Sequence, residues 1–135
     1  MPSETASETP FEPGGWVLWE DGQSEVVLDT DPHVGFAYLY QAGDMVSSVW
    51  LFNLPGPQPD PADMDALPGM PAEFLIPTTR APRVLEDLDV LHDRDRWTIR
   101  WGEARAVLKP GATPGYHSDV TSFTPFARPI EDLPL

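Results

Sequence analysis

The 135-residue chain carries 22 Asp or Glu against 8 Lys or Arg, a formal net charge of -14, with no cysteine, 17 prolines and 5 tryptophans. Lack of cysteine excludes disulfides, thiolate metal sites, iron–sulfur ligation and cysteine nucleophiles. A negative field of this size opposes phosphate backbones and anionic lipid, so neither nucleic acid nor membrane is an expected partner. With 41% hydrophobic residues, the chain has enough apolar material for one core, and at this length a single domain is expected.

The charge is segregated. Residues 1–79 hold 13 acids and no Lys or Arg, whereas residues 80–135 hold 9 acids and all 8 bases. One lysine against seven arginines also fits a general compositional bias, but such a bias does not separate the two signs along the chain. The opening MPSETASETP has two glutamates and no apolar centre, unlike a secretory leader, and no later apolar run approaches the roughly 18–20 residues of a membrane span. A soluble, cytoplasmic protein is the expectation.

In chain order, residues 1–14 are polar, acidic and broken by Pro2, Pro10 and Pro13, the pattern of a flexible arm ahead of a domain spanning 15–135. GGWVLWE and SEVVLDT then form two β-rich runs around Asp21-Gly22, a two-residue hairpin signal. Pairing Glu20 with Gln23 sets Val17, Trp19, Val26 and Leu28 on a core face. Trp16, Leu18, Glu20, Glu25 and Asp29 take the other. VGFAYLYQA and MVSSVWLFNL follow, joined through Gly43-Asp44 with Ala42 opposite Met45. That register predicts Phe36, Tyr38, Val49 and Leu51 on one face, Ala37, Leu39, Trp50 and Phe52 on the other, and cover on both sides.

Residues 55–82 carry eight prolines, which block strands and helix interiors, so this stretch reads as a crossover with a helical turn or two at 61–67, docked by Phe74, Leu75 and Ile76. RVLEDLDVLHDRD fits either a short helix, through Val84, Leu85, Leu88 and Leu91, or a strand; the helix is favoured. A third hairpin closes over Gly102-Glu103 with Trp101 opposite Ala104. Its core face is Trp97, Ile99, Trp101, Ala106 and Leu108. A tail with strand character at Phe123–Phe126 ends the chain. The predicted fold is mainly β: three antiparallel hairpins in a twisted sheet or small open barrel with one or two short helices, α+β being the alternative.

Several constellations bear on function. The reverse face of the third hairpin carries Arg96, Thr98, Arg100, Arg105, Val107 and Lys109, with Arg100 directly opposite Arg105. Like charges at that spacing repel, so a carboxylate of the same chain, such as Glu86, Asp87 or a residue of the acidic first half, or an external anion should lie beside them. Glu20, Asp21, Glu25, Asp29, Asp31 and Asp44 gather toward hairpin ends, either as a solvated rim or as a surface that steers a basic protein, with Trp16 as an exposed anchor. Asp29-Thr30-Asp31-Pro32-His33 and His92-Asp93-Arg94-Asp95 have carboxylate and imidazole groups but no ligand spacing; the first lacks the glycine and the final glutamate of a calcium loop. No nucleophile elbow, phosphate loop, dinucleotide fingerprint or HExxH pattern is present, and neither metal nor cofactor is expected. The leading functional expectation is a non-enzymatic interaction module of immunity or inhibitor type that binds a basic partner such as a toxin or nucleic-acid enzyme. The alternatives are a small β-barrel that takes an anionic ligand on Arg96, Arg100, Arg105 and Lys109, and an accessory subunit of a larger assembly.

Overall fold

A computed structural model describes residues 14–54 and 69–134. The arm proposed for 1–14 lies outside these residues except for its last glycine, as does the helical turn proposed at 61–67. The described chain is mainly β, in two sheets that do not close into a barrel. The first is an antiparallel meander of β1 (Gly14–Glu20), β2 (Ser24–Asp31), β3 (Val34–Gln41) and β4 (Asp44–Asn53). The second runs β5 (Asp89–Asp93), β6 (Arg96–Trp101), β7 (Ala104–Leu108), β8 (Tyr116–His117) and β9 (Arg128–Pro129), antiparallel except for the parallel β8–β9 pair. Helical geometry among the described residues is confined to three-residue 3-10 turns at Ala72–Phe74, Leu85–Asp87 and Ile130–Asp132.

One core joins the sheets. Val26, Leu28, Ala37, Leu39, Val49 and Phe52 from the first pack in the same cluster as Trp97, Ile99, Trp101, Ala106 and Leu108 from the second. Edge-to-face rings tie the two together: Trp19 on Trp97 at 5.8 Å and Phe52 on Trp101 at 5.8 Å between centroids. The free edge of β4 is covered by the C-terminal segment. Gly111, Gly115 and Phe126 exchange backbone hydrogen bonds with Val46, Ser48 and Trp50 at 2.6–2.8 Å, which removes an otherwise bare row of donors and acceptors. A small second cluster, Val107, Ala112 and Tyr116 with Ile130 and Leu133, seals the back of the second sheet.

The third hairpin forms as its sequence predicts, with Trp101 opposite Ala104 and Arg100 opposite Arg105, and its predicted core face is buried throughout. The first two hairpins are shifted. At the first, Glu20 pairs with Glu25 rather than Gln23. Asp21 Oδ1 accepts the backbone N–H groups of Gln23 (3.0 Å) and Ser24 (2.8 Å), so its carboxylate closes a four-residue loop in place of the two-residue turn. A bulge at Leu18 then reverses the preceding residues: Trp16 lies across from Leu28 and packs on the core, and Val17 faces outward, 52% exposed.

At the second hairpin the turn is Ala42-Gly43, both with positive φ (53° and 85°), and Gln41 pairs with Asp44. This is the mirror-image turn whose twist matches the strands, and glycine at position 43 adopts it without strain. Irregularities at Leu39/Tyr40 and Gly35/Phe36 reset the register, so Val49 pairs with Ala37 and Trp50 with Phe36, opposite to the predicted grouping. Phe74 and Leu75 dock on the core as expected, and Ile76 donates its N–H to the Asp119 carbonyl at 3.0 Å. The helix favoured within 83–92 is instead the Leu85–Asp87 turn followed by β5, because the open edge of β6 supplies ladder partners that an isolated short helix lacks. Strand structure near the end falls at Arg128–Pro129 rather than Phe123–Phe126.

Candidate functional site

The alternation of β2 fixes what the outer face of the first sheet displays. Ser24, Val26, Leu28 and Thr30 point inward and are buried, so Glu25, Val27, Asp29 and Asp31 point outward. Cross-strand pairing places Glu20, Glu25, Tyr40 and Met45 in one outward row and Val17, Val27, Tyr38 and Ser48 in the next; Gly15, Asp29, Phe36 and Trp50 align in a third, whose Phe36 and Trp50 are buried in the core. Asp31 lies one step farther along β2.

The rings form a ladder down β3. Phe36 stacks on Tyr38 at 6.4 Å, and Tyr38 meets Tyr40 at 6.5 Å. Phe126 caps the Phe36 end at 6.1 Å, which leaves Phe36 buried while Tyr38 and Tyr40 are half-buried. Val17 and Met45, 52% and 48% exposed, flank the tyrosines. The result is an aromatic and aliphatic strip bordered by carboxylates.

The strip perturbs the groups beside it. Asp29 has its pKa raised, first by partial burial and then by the neighbouring charge of Asp31. Tyr38 is pushed up to about 12 by burial, with Asp29, Tyr40 and Asp31 adding repulsion to the phenolate. Glu20 and Glu25 are directly opposed across β1 and β2, an arrangement that like-charge repulsion disfavours. A cation above the sheet would offset the charge of Asp31 on Asp29 and the apposition of Glu20 and Glu25.

Of the acidic residues singled out from sequence, Glu20, Glu25, Asp29 and Asp31 share this face. Three other nominated residues do not. Asp21 is held in its own turn, and the two backbone N–H groups it accepts lower its pKa. Asp44 sits at the β3–β4 turn with alternation that points it away from Tyr40 and Met45. Trp16 is turned toward the core by the Leu18 bulge, so it is not the exposed anchor proposed from sequence. Tyr38, Tyr40, Val17 and Met45 were missed; the alternation of β2 was the available signal, since its polar positions mark the face on which the β3 tyrosines emerge.

The basic residues of the second sheet are placed differently. Asp89 on β5 lies directly opposite Arg100, and their side chains form an ion pair at 3.4 Å. The carboxylate that compensates the Arg100–Arg105 apposition is therefore Asp89, not Glu86 or Asp87. Lys109 bonds Asp95 at 2.7 Å and lowers its pKa, and Arg96 donates to the Pro134 carbonyl. Arg105 is exposed.

The histidines are engaged locally. His92 lies flat on Trp97 at 4.2 Å, and its Nε2 is 2.7 Å from the Arg94 carbonyl. His33 is buried. His117 is fully buried; its Nε2–H donates to the Leu51 carbonyl at 2.7 Å and its Nδ1 accepts the Asp119 N–H at 3.0 Å. Burial lowers its pKa to about 4, against the opposing influence of the Leu51 carbonyl and the Asp119 carboxylate. With both nitrogens bonded to backbone, this ring has no position from which to shuttle a substrate proton. Among the described residues, no group of three or more His, Asp or Glu is arranged to hold a metal ion, and no helix is long and apolar enough to cross a membrane. No protein-family model, curated protein or solved structure matches the chain.

Proposed function

We propose that this protein is a non-enzymatic interaction module of immunity or inhibitor type that docks the outer face of β1–β4 on a basic partner protein such as a toxin or nucleic-acid enzyme. The observation that carries the reading is the convergence of Glu20, Glu25, Asp29 and Asp31 around the half-buried Tyr38–Tyr40 strip. Half-buried aromatics supply contact area at low entropic cost, and a carboxylate border steers and orients a cationic surface. Lysine or arginine side chains from the partner would compensate the opposed Glu20 and Glu25 and lie over the tyrosine rings. The anion-binding alternative has less support, since Arg100 and Lys109 already have carboxylates of their own chain.

The test is affinity capture from native lysate at low and physiological salt, run in parallel with Asp29→Lys, Tyr38→Ala and, as a control on the other sheet, Arg105→Ala. A basic protein retained by the wild type and by Arg105→Ala, but lost from both face variants, supports the proposal. Failure to retain any basic protein, or equal retention by all four chains, overturns it.

A further inference from the structure

A cleft of about 720 Å³ opens at the tip of the third hairpin, away from the residues of the acidic face. Its walls come from three separate parts of the chain: Ile76–Asp87, the turn Trp101–Ala104, and Ser118-Asp119. Ile76, Ala81, Pro82 and Trp101 provide apolar surface, and Trp101 is fixed by its indole N–H, which donates to the Arg80 carbonyl at 2.9 Å. The size lies within the range of pockets for small organic ligands.

Asp119 is the unusual group in this lining. It is only 6% exposed, and one of its oxygens, Oδ1, accepts the Ser118 hydroxyl at 3.1 Å. Its Oδ2 has no hydrogen bond among the described residues. It also has no ion pair there, although Arg80 and Arg83 line the same cleft. Among the described residues Oδ2 is not one of the fully buried atoms left without a partner, so it meets solvent, and a donor on a ligand can take the place of that solvent.

The surroundings hold it rigidly in place. The Asp119 N–H donates to His117 Nδ1 at 3.0 Å, its carbonyl accepts the Ile76 N–H at 3.0 Å, and Ser118 Oγ accepts the Arg105 N–H at 2.9 Å. Backbone pinned on both sides and a neighbouring hydroxyl bonded twice present the free oxygen as a preorganised acceptor rather than a mobile surface acid.

We infer that this cleft binds a small primary amine with an aromatic or aliphatic body, its ammonium group bonded to Asp119 and its body lying along Trp101, Ile76 and Pro82. An ammonium supplies both the charge and the donors that Oδ2 lacks. The net charge of -14 raises the local concentration of cations over anions. The cleft lining sets Arg80 and Arg83 against Asp87, Glu103 and Asp119, so its net charge is negative, and an organic acid bound near Asp119 would meet a like charge that an ammonium does not. The inference is independent of the docking face, because no residue is shared between the two.

The experiment is a titration of the full chain with phenethylamine and, separately, phenylacetate, followed by the Trp101 indole N–H signal in nitrogen–proton correlation spectra and by calorimetry. Phenethylamine should shift the Trp101 signal saturably, phenylacetate should leave it unmoved, and Asp119→Asn should weaken phenethylamine binding by about 10- to 100-fold, the worth of one charge-assisted bond. The asparagine is isosteric and retains an acceptor for Ser118, and unchanged dispersion elsewhere in the spectrum verifies its fold. No saturable shift with phenethylamine, equal binding of phenylacetate, or undiminished affinity in Asp119→Asn each overturns the assignment; the first two require no variant.

Discussion

Acidification tests the environment of His117 directly. The ring is buried between Trp50 and Trp101, at 4.8 Å and 5.6 Å between centroids, and its pKa falls from 6.5 to about 4 in the folded chain. The unfolded chain therefore binds a proton that the folded chain refuses between those two values, so stability is at its full level above the unfolded pKa and falls as pH drops through that window. One pKa unit corresponds to about 1.4 kcal/mol, so lowering the pH from about 7.5 to about 5 should remove about 2 kcal/mol through this group alone. Lower values approach the sequence pI of about 4.2, where loss of net charge favours self-association and spoils an equilibrium measurement. The assay is urea unfolding followed by tryptophan fluorescence at half-unit pH intervals, for the wild type and for His117→Gln. The variant will be less stable throughout, but carboxylates that do not act on His117 contribute equally to both profiles, so their difference isolates the imidazole together with its coupling to Asp119. That difference should shrink toward acid by about 2 kcal/mol. Parallel profiles would refute the buried, neutral assignment of the ring.

Gly115 has backbone on one side and Val49 on the other: a Cβ there would lie 2.3 Å from the Val107 carbonyl oxygen and 3.2 Å from Val49 Cβ. Gly115→Ala should cost roughly 3 kcal/mol in urea unfolding and weaken the Gly115–Ser48 bond that covers β4, whereas an effect below about 1 kcal/mol would contradict this packing. Asp89→Asn leaves Arg100 and Arg105 opposed without compensation; both partners of the Asp89–Arg100 pair are more than half exposed, so the expected loss is about 0.5 kcal/mol, and Arg105→Ala in the same chain should recover most of it if the repulsion is real. Asp29→Asn should act in the opposite sense. A carboxylate with a raised folded pKa penalises the fold once ionised, so at neutral pH the variant should be more stable by about 0.5 kcal/mol or less, given its solvent exposure. The same variant should weaken retention of a basic partner, and a gain in both properties would separate Asp29 from the docking face.

How much could be read from sequence differs between the hairpins for a physical reason. In the third, Gly102 and an unbroken alternation from Arg96 to Lys109 determine the turn and both faces together. In the first, the signal at Asp21-Gly22 is present, but the Asp21 side chain bonds two backbone groups and lengthens the loop; the Leu18 bulge then exchanges the roles of Trp16 and Val17. A bulge leaves no compositional trace, and a one-residue slip moves a side chain to the opposite face. Tyr38 and Tyr40 were hidden by the inference that apolar residues on both faces of β3 require cover on both. Only the Phe36 end has Phe126 across it. Asp89 was concealed by the helical spacing of Leu85, Leu88 and Leu91, which loses to pairing with β6. The cleft at Asp119 joins three segments, the outer two more than thirty residues apart in sequence, so no local pattern could have announced it.

The two sheets manage charge in opposite ways, and that contrast bears most directly on function. In the second sheet, Arg100 meets Asp89 and Lys109 meets Asp95, so its cations are matched to carboxylates on neighbouring strands and turns. In the first, Glu20 faces Glu25, and Asp31 adds to the burial that raises the Asp29 pKa, in a stretch, residues 1–79, that contains no Lys or Arg. A coat that served solubility alone would favour dispersed acids with basic neighbours, because crowding like charges on one face raises the free energy of the fold without adding to net charge. A cationic surface laid on this face would offset the repulsion between Asp29 and Asp31. Added salt should relieve part of that repulsion in the free protein and raise its unfolding midpoint, while the same salt screens the field that draws a basic partner in. Opposite salt dependences of stability and association are what a surface shaped by binding, rather than by solubility, entails.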